Sequence, residues 1–126
     1  MKISFTTITV RDLEKSVKFY TEIIKLNEVM RFSPQKGINI VFLKDEYNGK
    51  IELIEYEQNK KVEDSGNAAI VSIGFAIDDL DKSIKMLSDS NIQIIRGPIQ
   101  TPSGTKFLFI KDPDGVEIEL IQGFNL

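Results

Sequence analysis

The 126-residue sequence contains no cysteine, no histidine and no tryptophan. Without cysteine it can build no disulfide framework, no thiolate nucleophile and no thiolate metal site. The missing histidine excludes more, because imidazole is the commonest metal ligand and the commonest general base near neutral pH. Zinc and nickel lose their usual donor, and Ser/His and Cys/His nucleophile pairs are impossible. A Gly-rich phosphate loop of the P-loop or dinucleotide type is also lacking.

Charge of one sign is not gathered anywhere. The 16 basic and 19 acidic side chains are interspersed, for a net charge of −3, so the clustered Lys/Arg footprint of a nucleic-acid binder is missing. No apolar run approaches the roughly 18–20 residues that span a bilayer. Met1-Lys2-Ile3-Ser4 leads into a strand with no apolar signal region. These absences give the expectation of a cytoplasmic protein with neither a nucleic-acid nor a membrane partner.

What the sequence does have is a repeat. Asp12-Leu13-Glu14-Lys15-Ser16-Val17-Lys18 returns as Asp79-Leu80-Asp81-Lys82-Ser83-Ile84-Lys85, and Ile51-Glu52-Leu53-Ile54 returns as Ile118-Glu119-Leu120-Ile121, both 67 residues on. A constant offset over separate blocks marks a tandem duplication of one supersecondary unit. Two copies are too few for a solenoid and suit a closed, pseudo-twofold arrangement in which each half supplies equivalent positions to a shared site. The expected organisation is one domain over 1–126, made of modules 1–57 and 70–126. A polar linker at 58–69 with no amphipathic period joins them.

Periodicity fills in each module. Residues 3–10 alternate, with Phe5, Thr7 and Thr9 on one face and Thr6, Ile8 and Val10 on the other, as a strand requires. Asp12 can cap a following helix whose stripe of Leu13, Val17, Tyr20 and Ile24 packs on the Ile8/Val10 face. Strands follow near 28–32, 38–43 and 50–56, parted by turn-rich segments at 33–37 and 45–49. The second module predicts a strand over 70–77, then a helix opened by Asp78 or Asp79 with Leu80, Ile84 and Leu87 on one face. Further strands are expected near 92–96, 106–110 and 117–122, and Asp112-Pro113-Asp114-Gly115 forms a turn. Residues 96–104 are rich in turn formers and read as a hairpin connection or a mobile lip. The class is α+β: two tandem βαβββ modules with mostly antiparallel sheets and helices covering one face.

The strand-helix phrase from Val10 through Asp12-Leu13-Glu14-Lys15-Ser16 to Phe19-Tyr20, with the ending Asp112-Pro113-Asp114-Gly115-Val116-Glu117-Ile118-Glu119-Leu120, resembles the glyoxalase/bleomycin-resistance/extradiol-dioxygenase superfamily, the vicinal oxygen chelate proteins. The resemblance spans essentially the whole chain and identifies a scaffold, not a reaction. It implies that the two modules curl their sheets into a curved cup with helices on the outer face, and that the protein is a homodimer. Metal-dependent members hold a divalent ion with four inward side chains, commonly His, Glu, His, Glu in glyoxalase I. Carried onto this chain, those positions are Phe5, Glu52, Ser72 and Glu119. Phe5 offers no donor and Ser72 a poor neutral one, so no cofactor is expected; a weakly held hard ion such as magnesium stays open.

Alternation sends Glu52 and Glu119 to the face opposite Ile51/Leu53 and Ile118/Leu120, together with Phe5, Thr7, Ser72 and, by period two from Glu52, Tyr56. The two glutamates can act as a proton-transfer base, a cation receptor or a relic of a metal site, or stand solvated or paired on an open groove. Phe5 can stack on a ligand or simply fill space. Two functions follow from the resemblance. One is metal-independent sequestration of a small molecule contacted by Phe5, Thr7, Glu52, Tyr56, Ser72 and Glu119, as in the bleomycin-binding resistance proteins. The other is a glyoxalase-like lyase or isomerase with Glu119 or Glu52 as the base and little or no metal.

Overall fold

The computed structural model describes residues 3–59 and 72–124, which fall into two units, one within 1–65 and one within 66–126. Unit 1 runs β1 (Thr6–Val10), α1 (Leu13–Lys18), a π-helical turn (Phe19–Ile23), β2 (Asn27–Gln35), β3 (Ile38–Lys44) and β4 (Lys50–Tyr56). Unit 2 runs β5 (Ser72–Ala76), α2 (Leu80–Asp89), β6 (Arg96–Gln100), β7 (Lys106–Lys111) and β8 (Glu117–Gln122). Each is a βαβββ unit with its own four-stranded sheet, ordered β1-β4-β3-β2 and β5-β8-β7-β6. The first strand runs parallel to the last, as a helical crossover allows, and the other two pairings are antiparallel. The α+β class and the tandem plan therefore hold.

Both helices start the same way. Asp12 and Asp79 are extended N-caps whose Oδ1 accepts from the amides of Lys15 and Lys82, each over 3.1 Å. Of the two candidate caps for α2, Asp79 is the one used. The first amide of each helix is held by the final strand of its own sheet: Leu13 N donates to Glu55 Oε2 over 2.6 Å, and Leu80 N donates to Gln122 Oε1 over 2.8 Å. Residues 55 and 122 are again 67 apart. Each helix covers one face of its sheet. Leu13, Val17 and Tyr20 are buried with Ile8, Val10, Val41 and Leu53 in unit 1, and Leu80 and Leu87 with Leu108, Ile110, Ile118 and Leu120 in unit 2.

The plain helical stripe is interrupted in unit 1. The Thr21 hydroxyl donates to Val17 O over 2.7 Å, competing for the acceptor that an α-helical Thr21 amide would use. The chain widens into the π turn there, with Ile24 N reaching Phe19 O over 3.3 Å. That turn buries adjacent Phe19 and Tyr20 together, edge to face at 5.1 Å, and leaves Ile24 only half-buried.

Several expected boundaries move. The strand expected over 3–10 begins at Thr6, leaving Phe5 just outside it. The turn expected at 33–37 shrinks to Lys36-Gly37, because β2 continues through Pro34 at a break in register between Phe32 and Gln35, where a missing amide donor loses no ladder bond. The strand expected at 92–96 lies instead at Arg96–Gln100, so the first part of the supposed lip is β6 and the connection is confined to 101–105. Gly97-Pro98 sits at the register break between Arg96 and Ile99. In both strands a bulge uses the residues that read as a turn. The expected linker at 58–69 lies mostly outside the described residues, and its start belongs to a 3-10 turn at Glu57–Asn59. The strand expected from residue 70 is seen from Ser72. Among the described residues no helix is long and apolar enough to cross a membrane.

The aspartate turns are duplicated in detail. Asp45 Oδ1 accepts from Tyr47 N and Gly49 N, each over 2.7 Å, and Asp112 Oδ1 accepts from Asp114 N and Val116 N, each over 2.8 Å. Asn48 and Gly115, 67 residues apart, both take the left-handed conformation the turn needs, with φ of 73° and 90°.

Glu55 is 2 % exposed, and its other oxygen accepts from Asn39 Nδ2 over 3.1 Å. Replacing it with alanine strands buried donors and is expected to destabilise unit 1 by about 2–3 kcal/mol. Glu55→Gln should cost less, because its side-chain carbonyl can still accept from Leu13 N as Gln122 does from Leu80 N, while its NH2 forfeits the bond from Asn39. Urea denaturation of both variants, read through helical circular dichroism, checks the difference; equal losses would contradict the tether.

Candidate functional site

The tether to the helix settles which way β4 and β8 face. Ile51, Leu53 and Glu55 point to the helix, so Glu52, Ile54 and Tyr56 lie on the opposite, open face. In the parallel pairing Thr7 stands directly across from Glu52, and its hydroxyl donates to Glu52 Oε1 over 2.9 Å. On the other flank Glu52 pairs with Phe42 of β3. Phe5 is 45 % exposed and meets the Phe42 ring edge to face at 5.2 Å. The structure thus brings Phe5, Thr7 and Glu52 together around Phe42. Tyr56 shares the face and is half-buried, but it lies four residues along the strand, roughly 13 Å away at the usual strand rise.

On the open face of unit 2, Glu119 has Gly74 across from it on β5 and Phe109 across from it on β7. Phe109 in turn pairs with Arg96 of β6, whose guanidinium lies 4.0 Å from the Phe109 ring centroid. Arg96 also approaches Glu117 Oε2 at 3.7 Å, with both side chains partly exposed. Exposed Ser72 stands opposite Glu117, two register pairs from Glu119. Among the described residues Glu119 makes no hydrogen bond and no ion pair.

Sequence reasoning missed Phe42, Phe109, Arg96 and Glu117. The two phenylalanines were legible in principle, since β7 alternates Phe107 and Phe109 against buried Leu108 and Ile110. Arg96 was hidden by the turn-like residues that follow it, and Glu117 by its place beside the turn.

A cavity of about 290 Å³ lies elsewhere, on the helix side of unit 1, lined by Asp12, Glu14, Arg31, Ser33, Asn39 and Glu55 among others. Its lining residues are linked by hydrogen bonds from Ser33 to Asn39, from Asn39 to Glu55 and from the Leu13 amide to Glu55. At its mouth Arg31 pairs with Glu14 and Glu28. The hydrogen bond from Arg31 holds the Glu28 carboxyl below its ordinary range. These partners serve one another and the helix end.

The four positions that the resemblance assigns to a metal ion do not carry its usual donors. Phe5 presents a ring packed on Phe42, Ser72 a neutral hydroxyl, and Glu52 has one oxygen committed to Thr7. Among the described residues, no group of three or more Asp or Glu side chains could share an ion. Such a donor set lacks the three or four converging nitrogen, sulfur or oxygen ligands that zinc and nickel require.

Comparison with known proteins agrees with this scaffold. Residues 2–120 match the model of the glyoxalase/bleomycin resistance protein/dioxygenase superfamily. A probable lactoylglutathione lyase of Vibrio parahaemolyticus is 32 % identical over 96 % of this chain and 90 % of its own length. Glyoxalase I from Zea mays superposes with a TM-score of 0.81 at 25 % identity, over 98 % of this chain and 45 % of the maize chain. TnmS3, an antibiotic binding protein from Streptomyces sp. CB03234, has the same fold, with a TM-score of 0.75 at 20 % identity over 97 % of this chain and 95 % of its own. With the duplicated βαβββ units and a match over nearly its full length, the chain belongs to the glyoxalase/bleomycin resistance protein/dioxygenase superfamily.

Proposed function

We propose that this chain is a metal-independent small-molecule binding protein, cytoplasmic and homodimeric, which uses the open sheet faces to sequester a ligand. The carrying observation is the fate of the four family ligand positions. Phe5 and Ser72 stand where the metal enzymes commonly have histidine, and Thr7 occupies Glu52 from across the strand. What remains on those faces is the composition of a small-molecule pocket: rings at Phe5, Phe42 and Phe109, a little hydroxyl chemistry at Thr7 and Ser72, a phenol at Tyr56 and two carboxylates. The chain shares its fold with TnmS3, whose description as an antibiotic binding protein belongs to that protein.

The relatives named as lactoylglutathione lyases support a second reading, in which Glu119 or Glu52 transfers the proton of a hemithioacetal. That chemistry needs the substrate oxygen polarised as its carbon loses a proton, and the four positions do not supply a ligand set for a Lewis acid.

Titrating the purified protein with nickel, zinc and magnesium while following thermal unfolding should leave the midpoint essentially unchanged. A metal at 100 times its dissociation constant would stabilise by about 2.7 kcal/mol, which for a domain of this size moves the midpoint by several degrees. The double variant Phe5→His with Ser72→His should gain nickel or zinc stabilisation of that order. Failure to gain it would break the correspondence of the four positions.

Supplied with methylglyoxal and glutathione, the protein should show no turnover above the uncatalysed reaction. Turnover that Glu119→Gln abolishes would replace the binding reading with the lyase.

A further inference from the structure

The two halves of the duplication treat their acids differently. Thr7 and Gly74 are equivalent positions 67 residues apart, and each is the parallel-strand partner of an acid, Glu52 or Glu119. In unit 1 the Thr7 hydroxyl occupies Glu52 Oε1. In unit 2 that hydroxyl is gone. A Cβ built on Gly74 would meet only Glu119 Oε2, at 4.0 Å, so the space beside this carboxylate is open. Glu119 is half-buried and has no hydrogen-bonding or ionic partner among the described residues.

The charges around it are already matched. Across the sheet a row reads Gly74, Glu119, Phe109, Arg96. Arg96 lies on the Phe109 ring and pairs with Glu117, two register pairs away, so those two charges offset each other. Glu119 is left as the uncompensated charge of the row, between an aromatic side chain and a position with no side chain.

The geometry points to Glu119 as the receptor for a small organic cation with a flat apolar body. Its N–H donors meet the carboxylate in charge-assisted hydrogen bonds, and its body lies along Gly74 and the side of Phe109. A bare metal ion finds too few donors here. A neutral body laid over the carboxylate would desolvate it without return, and an anion would be repelled by the uncompensated Glu119. This inference rests on the binding reading and assigns its ligand class.

Benzylammonium, benzyl alcohol and benzoate share one ring and differ in charge, so calorimetric titration with the three probes tests the assignment. Benzylammonium should bind at least about tenfold more tightly than benzyl alcohol, as expected for a charge-assisted hydrogen bond, and benzoate should not saturate. Glu119→Gln should reduce benzylammonium to the benzyl alcohol level. Gly74→Thr, which installs the hydroxyl that unit 1 already carries, should do the same with a thermal midpoint no lower than that of the parent, since threonine suits a strand better than glycine. Glu22→Gln, an exposed acid on the helix side, should leave binding as it was. The assignment is overturned if the neutral or anionic probe binds as well as the cation, if neither site variant changes affinity, or if no probe saturates. Equal binding of all three, insensitive to Glu119, would sink the ligand class and leave metal-independent binding standing. Tight nickel binding or hemithioacetal turnover would sink the binding reading itself.

Discussion

The buried hydrogen bond from the first amide of each helix to the last strand of the same unit is the constraint on which the rest depends. Leu13 is held by Glu55 and Leu80 by Gln122. A helix N-terminus carries unsatisfied amides and a partial positive charge, and burying it against a sheet is tolerable only if an acceptor meets it. Once residue 55 faces the helix, the two-residue period of the strand fixes every neighbour: Leu53 and Ile51 join the core, and Glu52 must face away. A slip of one residue would bury Glu52 against Leu13 and expose Leu53, so the tether and the apolar alternation enforce the same register. The same holds for Glu119 in unit 2. The two acids are therefore placed by what the helix needs, whatever chemistry they later acquire.

Beyond the tethers, the duplication is strict where the backbone demands it and loose where it does not. The capping aspartates, the Asp45 and Asp112 turns and the left-handed Asn48 and Gly115 all survive in both copies. The aspartates accept from turn and helix-end amides, and Asn48 and Gly115 supply the left-handed backbone the turns need, so loss of any one costs stability directly. On the open faces nothing comparable applies. There Phe5 matches Ser72, Thr7 matches Gly74, and the Phe42 side gained a phenylalanine contact while the Phe109 side gained a guanidinium. Residues facing away from the helix were free to diverge, and their divergence is where function is written.

The plan of the fold was legible because both periodicities and the repeat agreed at every point: caps, stripes and alternating strands each implied the same βαβββ unit. The faces of Glu52 and Glu119 followed from alternation alone. Three features did not. The π turn depends on a competition between the Thr21 hydroxyl and its backbone for one carbonyl, which helical periodicity does not register. Pro34 and Gly97-Pro98 read as turns because those residues favour turns, yet they also suit the register breaks inside β2 and β6. The misplacement of β6 then concealed Arg96, whose position over Phe109 can be known only once the strand pairing is known. Local chemistry names the residue types; register decides which of them meet.

The difference between Thr7 and Gly74 shows how a site can change its chemistry without disturbing its scaffold. A carboxylate on a partly apolar face is costly unless something shares its charge, whether water, a donor or a cation. With no histidine in the chain, no imidazolium can share it. Unit 1 resolves the problem internally, with a hydroxyl 2.9 Å away that makes Glu52 part of the sheet. Unit 2 leaves it unresolved within the described residues and keeps the facing position free of any side chain. Neither solution touches the core or the tether, since Gly74 and Thr7 are exposed and each unit keeps its own strand-to-helix hydrogen bond. The same duplicated frame can therefore hold one acid closed and the other open, and a single strand-face substitution is enough to pass between the two.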